Sequence, residues 1–125
     1  MIVLDASAVL AVLLAEPGAD TIAPRLAGSL MASVNLAEVL SKLAERGEDP
    51  HYFDDVVRRL GVVIEPVTAD QALEAARLRP ITKALGLSLG DRLCLAFARE
   101  RGLPVLTTER RWLEMDFGIP VEFGR

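Results

Sequence analysis

The chain is poor in the residues that most metal-free catalysts and most membrane proteins need. His51 is its only histidine, which excludes acid–base chemistry shared between two imidazoles. Cys94 is its only cysteine, set in the apolar stretch 93–97, so it reads as a small buried hydrophobe with no disulfide partner in the chain. A reducing, cytoplasmic setting is therefore expected. Aromatic residues make up only 5% of the sequence, and no glycine-rich phosphate loop is present. No apolar run is long enough to span a bilayer. Residues 1–15 are nearly all apolar, but no basic segment leads them and Asp5 interrupts them, so they are not read as a secretory signal. Positive charge is lacking too: the net charge of −4 argues against a protein that coats nucleic acid by counterion release. It leaves room for an enzyme that meets phosphates through bound cations.

What remains is ample for a core. With 125 residues, 51% hydrophobic and 26% charged, and with no repeat or Pro/Gly-rich linker, residues 1–125 are expected to form one domain. Short β-branched and aliphatic runs at 1–4, 30–32, 62–64, 104–106 and 120–123 predict buried strands. Between them, helical periodicity predicts helices at 8–15, 19–27, 36–46, 52–60, 69–78 and 90–101, with a short one near 111–115. Ser33, Thr68 and Ser88 are candidate N-caps, and Gly47, Gly61 and Gly102 follow helical runs as C-terminal glycines do. Alternation of strand and helix predicts an α/β fold in three layers, a mostly parallel sheet with helices on both faces.

Parallel strands end at one edge, and right-handed crossovers start each following helix there. Four acids should reach that edge. Asp5 ends the first strand, Glu38 falls in the first turn of the helix after the second, Asp91 opens the helix before the fourth, and Glu109 follows that strand through Thr107 and Thr108. Each has an ordinary structural reading alone: Asp5 as a helix cap, Glu38 and Asp91 as complements to helix dipoles, Glu109 as solvated surface. As a set they are harder to dismiss, because Glu38 and Asp91 interrupt otherwise apolar segments. Carboxylates brought together repel, by about 4 kcal/mol for a pair ~4 Å apart, so protons, basic side chains or divalent cations must compensate. Hard oxygen donors without His or Cys point to Mg²⁺ or Mn²⁺ rather than zinc, and such sites serve phosphodiester hydrolysis. Ser7 and Thr107 lie at the same edge, where their hydroxyls either position the site or make ordinary cap and turn bonds.

Leu4-Asp5-Ala6-Ser7-Ala8, Asn35-Leu36-Ala37-Glu38-Val39, Leu89-Gly90-Asp91 with Ala96 and Ala98, and Leu106-Thr107-Thr108-Glu109 with Trp112 together resemble the PIN-domain ribonucleases. At this length the chain looks like a VapC-type toxin of a toxin–antitoxin pair. The likeness runs through essentially the whole sequence in motif order. It implies that Asp5, Glu38 and Asp91 coordinate Mg²⁺ or Mn²⁺ with Ser7 and Thr107 in support, and that the five-stranded sheet has order 3-2-1-4-5. It also implies a homodimer, cleavage of RNA, and inhibition by a cognate antitoxin that covers the acidic pocket. One position departs from the pattern, since the family usually has aspartate where this chain has Glu109. The extra methylene keeps the charge but moves it outward, so Glu109 is expected as a fourth, outer acid.

Among the basic residues, Arg92, Arg110 and Arg111 are nearest in sequence to the acids and are the candidates to hold a substrate phosphate. Trp112 either stacks on a base or packs the short helix against the sheet, and packing is the expectation. Helices between residues 19 and 53 have mixed apolar faces that either dock a partner helix or complete the core. His51 reads as surface. A haloacid-type phosphotransferase would need a second aspartate at the position of Ser7. Two rivals to the nuclease remain: a PIN-like module that binds RNA or protein without cutting, and a metal-dependent phosphatase of small molecules.

Overall fold

Strands of two or three residues leave each side chain a single choice of face, and the alternation is obeyed. In a computed structural model describing residues 1–125, β1 (Val3–Leu4), β2 (Leu30–Ala32), β3 (Val63–Glu65), β4 (Val105–Thr107) and β5 (Val121–Phe123) form one parallel sheet. Its order is β3-β2-β1-β4-β5, as the sequence resemblance implied. Leu4, Met31 and Leu106 turn to one face, while Val3, Leu30, Ala32 and Val105 turn to the other, as a period of two requires.

The first face is covered by α1 (Ala6–Leu13), the short α2 (Ala19–Ile22), α3 (Ser33–Glu45) and α4 (Pro50–Arg59), whose Val9, Ile22, Leu43 and Val57 join the core. The second is covered by α5 (Ala69–Thr82) and α6 (Leu89–Arg101), through Leu78, Cys94, Leu95 and Phe97. Trp112 lies in a 3₁₀ turn, Arg110–Glu114, and is fully buried in this second core, so it packs rather than presenting a face to a base. Helices on both faces explain why every residue of β1, β2 and β4 is buried. No helix is long and apolar enough to cross a membrane.

Three local differences from the sequence reading bear on the site. The helix expected from residue 36 begins three residues earlier, because Ser33 does not cap it: Ala32 takes the N-cap position, and Ser33 Oγ instead accepts the Val67 N–H. Glu38 consequently stands in the second turn of α3, not the first. The helix expected over 19–27 breaks at Ile22 into a 3₁₀ turn, Ala23–Arg25, with Pro24 inside it. Finally, α5 runs through Pro80 to Thr82, whose hydroxyl donates to the Leu78 carbonyl at 2.7 Å. Thr68 and Ser88 do cap α5 and α6, each completing a capping box with the third helical residue.

One glycine has a direct effect on the crevice. Gly18 has φ of 95°, and a Cβ there would collide with the Gly124 carbonyl oxygen. Its bare Cα lets the end of the chain pass close by, which carries Arg125 to the carboxyl edge of the sheet.

Candidate metal centre

The chain leaves β1 toward β2 on one side and reaches β4 on the other, so the carboxyl ends of β1 and β4 flank the point where strand order reverses. Crevices of open α/β sheets form at such points. Here the crevice is a cavity of about 580 Å³ whose sixteen lining residues include only three hydrophobic ones. Asp5, Glu38, Asp91 and Glu109 all line it.

Asp5 is the innermost, only 2% exposed. Its N–H still pairs with Leu106 O in the sheet, while its side chain has turned to cap α1, accepting the Ala8 N–H at 3.0 Å. Ser7 Oγ lies 2.7 and 2.8 Å from its two oxygens, and Thr107 Oγ1 donates to Oδ2 at 2.6 Å. Backbone donors orient both hydroxyls: Thr108 N–H donates to Ser7 Oγ and Glu109 N–H to Thr107 Oγ1. With lone pairs occupied in this way, the hydroxyl protons are directed at the carboxylate. The turn bond expected of Thr107 is thus part of the arrangement that orients Asp5, whereas Ser7 does not cap α1: Asp5 takes that position, and the Ser7 hydroxyl links Asp5 to Thr108.

Three donors do not offset the burial. Loss of hydration pushes the Asp5 carboxyl up to about 7, against the lowering by Thr107, Ser7 and the Ala8 N–H, and the charge of Asp91 adds to the rise. Glu38 is raised as well, first by burial and also by Asp91, with Asn35 and Lys42 opposing. Both acids register the charge of Asp91 from a different helix. The buried Cys94 thiol, pushed up by burial, also feels Asp5, Asp91 and Glu38, and has no thiolate character to use.

Asp91 is the third residue of α6, where its Oδ2 accepts the Ser88 N–H at 2.9 Å to complete the capping box. Arg111 Nη2 approaches the same oxygen at 3.4 Å, its Nε lies 3.8 Å from Glu109 Oε2, and its Nη1 donates to Gly86 O at 3.1 Å. Arg111 therefore bridges Asp91 and Glu109, whose side chains are 15% and 46% exposed. As the side chains stand, no group of three or more His, Cys, Asp or Glu is packed closely enough to hold a metal ion. The donor set still suits a hard divalent cation: Asp5, Glu38, Asp91 and Glu109 face one polar cavity, which Glu16 and Glu45, not singled out in the sequence, also line, and Asp5 and Glu38 are held above their ordinary range partly by the charge of Asp91.

Of the three arginines singled out in the sequence, only Arg111 lines the crevice. Arg92 is held on the α5 side, with Nη1 donating to Ala75 O at 2.9 Å, and the Arg110 guanidinium stacks 4.7 Å from the Phe123 ring. The cations that do line the cavity with Arg111 are Lys42, Arg46 and Arg125, all missed in the sequence reading. Lys42 on α3 and Arg46 at its C-cap follow Glu38 at i+4 and i+8, a spacing that was legible. Arg125 was not, because only the close passage at Gly18 brings it there.

An all-parallel sheet in this order, with acids gathered at its carboxyl switch point, defines a class of α/β domains with an acidic crevice. Within that class the sequence matches the PIN domain family over residues 2–118, and the chain belongs to that family. No curated protein sequence matches it. Among solved structures it is similar to a toxin–antitoxin complex from Klebsiella pneumoniae, with TM-score 0.78 and 14% identity over 100% of this chain and 98% of that one. It is also similar to VapC20 from Mycobacterium tuberculosis, described as a sarcin–ricin loop cleaving toxin (TM-score 0.72, 21% identity, 94% and 93% coverage). DNA-bound VapBC from Salmonella typhimurium gives TM-score 0.72 and 19% identity, with 100% of both chains covered. These likenesses show the fold.

Proposed function

We propose that residues 1–125 form a single nuclease domain, an endoribonuclease dependent on Mg²⁺ or Mn²⁺, and the toxin of a toxin–antitoxin pair. The observation that carries the reading is the arrival of Asp5, Glu38, Asp91 and Glu109, from four separate segments, at one cavity in a chain of the PIN domain family. Asp5, Glu38 and Asp91 are the residues that would hold the ion, with Glu109 an outer acid. Once bound, Mg²⁺ or Mn²⁺ supplies Lewis-acid activation of water and compensates the charge that develops on phosphate. Ser7 and Thr107 fix Asp5. Arg111, Lys42, Arg46 and Arg125 line the same cavity and offer cationic groups suited to the phosphates of a bound RNA strand. Arg92 and Arg110 are left outside that role by their contacts with Ala75 and Phe123.

The solved relatives described as toxin–antitoxin complexes support a cognate antitoxin as partner, covering the crevice, and the family likeness supports a homodimer in the cytoplasm. Purified protein is expected to cleave RNA with Mn²⁺, to stop in chelator, and to fall to background as Asp5→Ala or Asp91→Ala. At a Mn²⁺ concentration 100 times the dissociation constant, the folded state should gain about 2.7 kcal/mol. RNA binding without cleavage or metal stabilisation would identify a non-cutting PIN module, and turnover of small phosphate esters but not RNA a phosphatase.

A further inference from the structure

The Glu38 carboxyl group is gripped by two residues that do not themselves line the crevice. Asn35 sits one turn earlier on α3 and is 1% exposed. Its Nδ2 donates to Glu38 Oε1 at 2.8 Å and to the Gly90 carbonyl at 3.1 Å, so one amide ties the carboxylate of α3 to the first turn of α6. On the other side, a Cβ at Gly90 would collide with Cδ, Oε1 and Oε2 of Glu38 together. The carboxyl group occupies the space that any side chain at position 90 would need. Gly90 lies inside α6, where glycine weakens a helix relative to alanine, and its φ is not in the left-handed region. Close approach is therefore its structural reason for being there.

Asn35 shows the same preference for placement over stability. Its Oδ1 is buried without a partner, at a position flanked by the core residues Leu36, Val39 and Leu43 on the same helix. An apolar side chain would remove that unpaired atom, but it would also release Glu38 from α6. We infer that Asn35 and Gly90 are positioning residues that fix the Glu38 carboxylate beside Asp91, the residue that follows Gly90. For its consequence in metal binding the inference rests on the function proposed above; the clamp itself rests on geometry.

Two measurements on Asn35→Ala and Gly90→Ala separate these layers. Crystal structures of both variants without added metal should show the Glu38 carboxyl displaced from Gly90, with α6 unmoved. Calorimetry with Mn²⁺ should show affinity weakened about 10- to 100-fold in each variant. Adding either substitution to Glu38→Ala should cause no further loss, because both act through that carboxylate. A merely structural role would give losses that add. Where Glu38→Ala weakens binding, wild-type affinity in the single variants, or additive losses in the doubles, would overturn the inference. Should Glu38→Ala alone leave Mn²⁺ affinity unchanged, the metal-dependent reading fails, while the crystals still decide the clamp: a displaced carboxyl supports it and an unmoved one refutes it. If Gly90→Ala does not fold, Asn35→Ala carries both comparisons.

Discussion

Replacing Asp5 with asparagine is expected to make the metal-free protein more stable while abolishing its nuclease activity. The sign follows from burial. Folding raises the Asp5 carboxyl from 3.8 to about 7, so between those values the folded chain holds a proton that the unfolded chain has released. Stability therefore falls as pH rises through that window and stays at its lowered level above it. The full cost of ionising Asp5 in place is about 4 kcal/mol. Asparagine never ionises, but its amide must face Ser7 and Thr107, hydroxyls already turned toward a carboxylate, and rearranging one of those bonds costs about 1–2 kcal/mol. A net gain of about 2–3 kcal/mol remains, enough to raise Tm by about 5–10 °C in a domain of this size. Denaturation in chelator at pH 8 measures it. The variant's stability should also vary less between pH 4 and 7 than that of the wild type. A variant no more stable than wild type would show that ionised Asp5 is not strained by its surroundings.

Mn²⁺ binding is expected to be strongly pH-dependent for the same reason. A cation binds the carboxylate, so below pH 7 it must displace the Asp5 proton, and affinity should rise about tenfold per pH unit toward neutrality before levelling off. Glu38, also raised, steepens the acid end of the curve. Calorimetry in buffers of different ionisation enthalpy should register close to one proton released per ion near pH 6. Thr107→Val removes a hydrogen bond that lowers the Asp5 pKa, so its plateau should move to higher pH. Affinity independent of pH between 5 and 7 would mean that the ion binds elsewhere.

The parts of the site that were legible in the sequence are those written in local signals. Asp5 and Asp91 announce themselves because one caps α1 and the other completes the capping box of α6, and helix starts carry recognisable residues. Strand order needed the family resemblance, since five short apolar runs have no order of their own. Where local signals failed, a distant residue had intervened. Ser33 looks like a cap but spends its hydroxyl on Val67, which shifted Glu38 by a turn. Arg92 and Arg110 adjoin site residues in sequence yet take other directions, because successive helical residues point about 100° apart and because Phe123 captures Arg110. Asn35 was visible three residues before Glu38, but its second bond runs to Gly90, across 55 positions of sequence.

Diffraction from crystals soaked in Mn²⁺, recorded at the manganese absorption edge, tests most directly whether these acids form a metal centre. An anomalous peak held by the carboxylates of Asp5 and Asp91, with Glu38 on the ion or one water removed, is the expected result. Occupied sites only at exposed acids such as Asp55 and Asp70, with no peak in the crevice at saturating Mn²⁺, would contradict it.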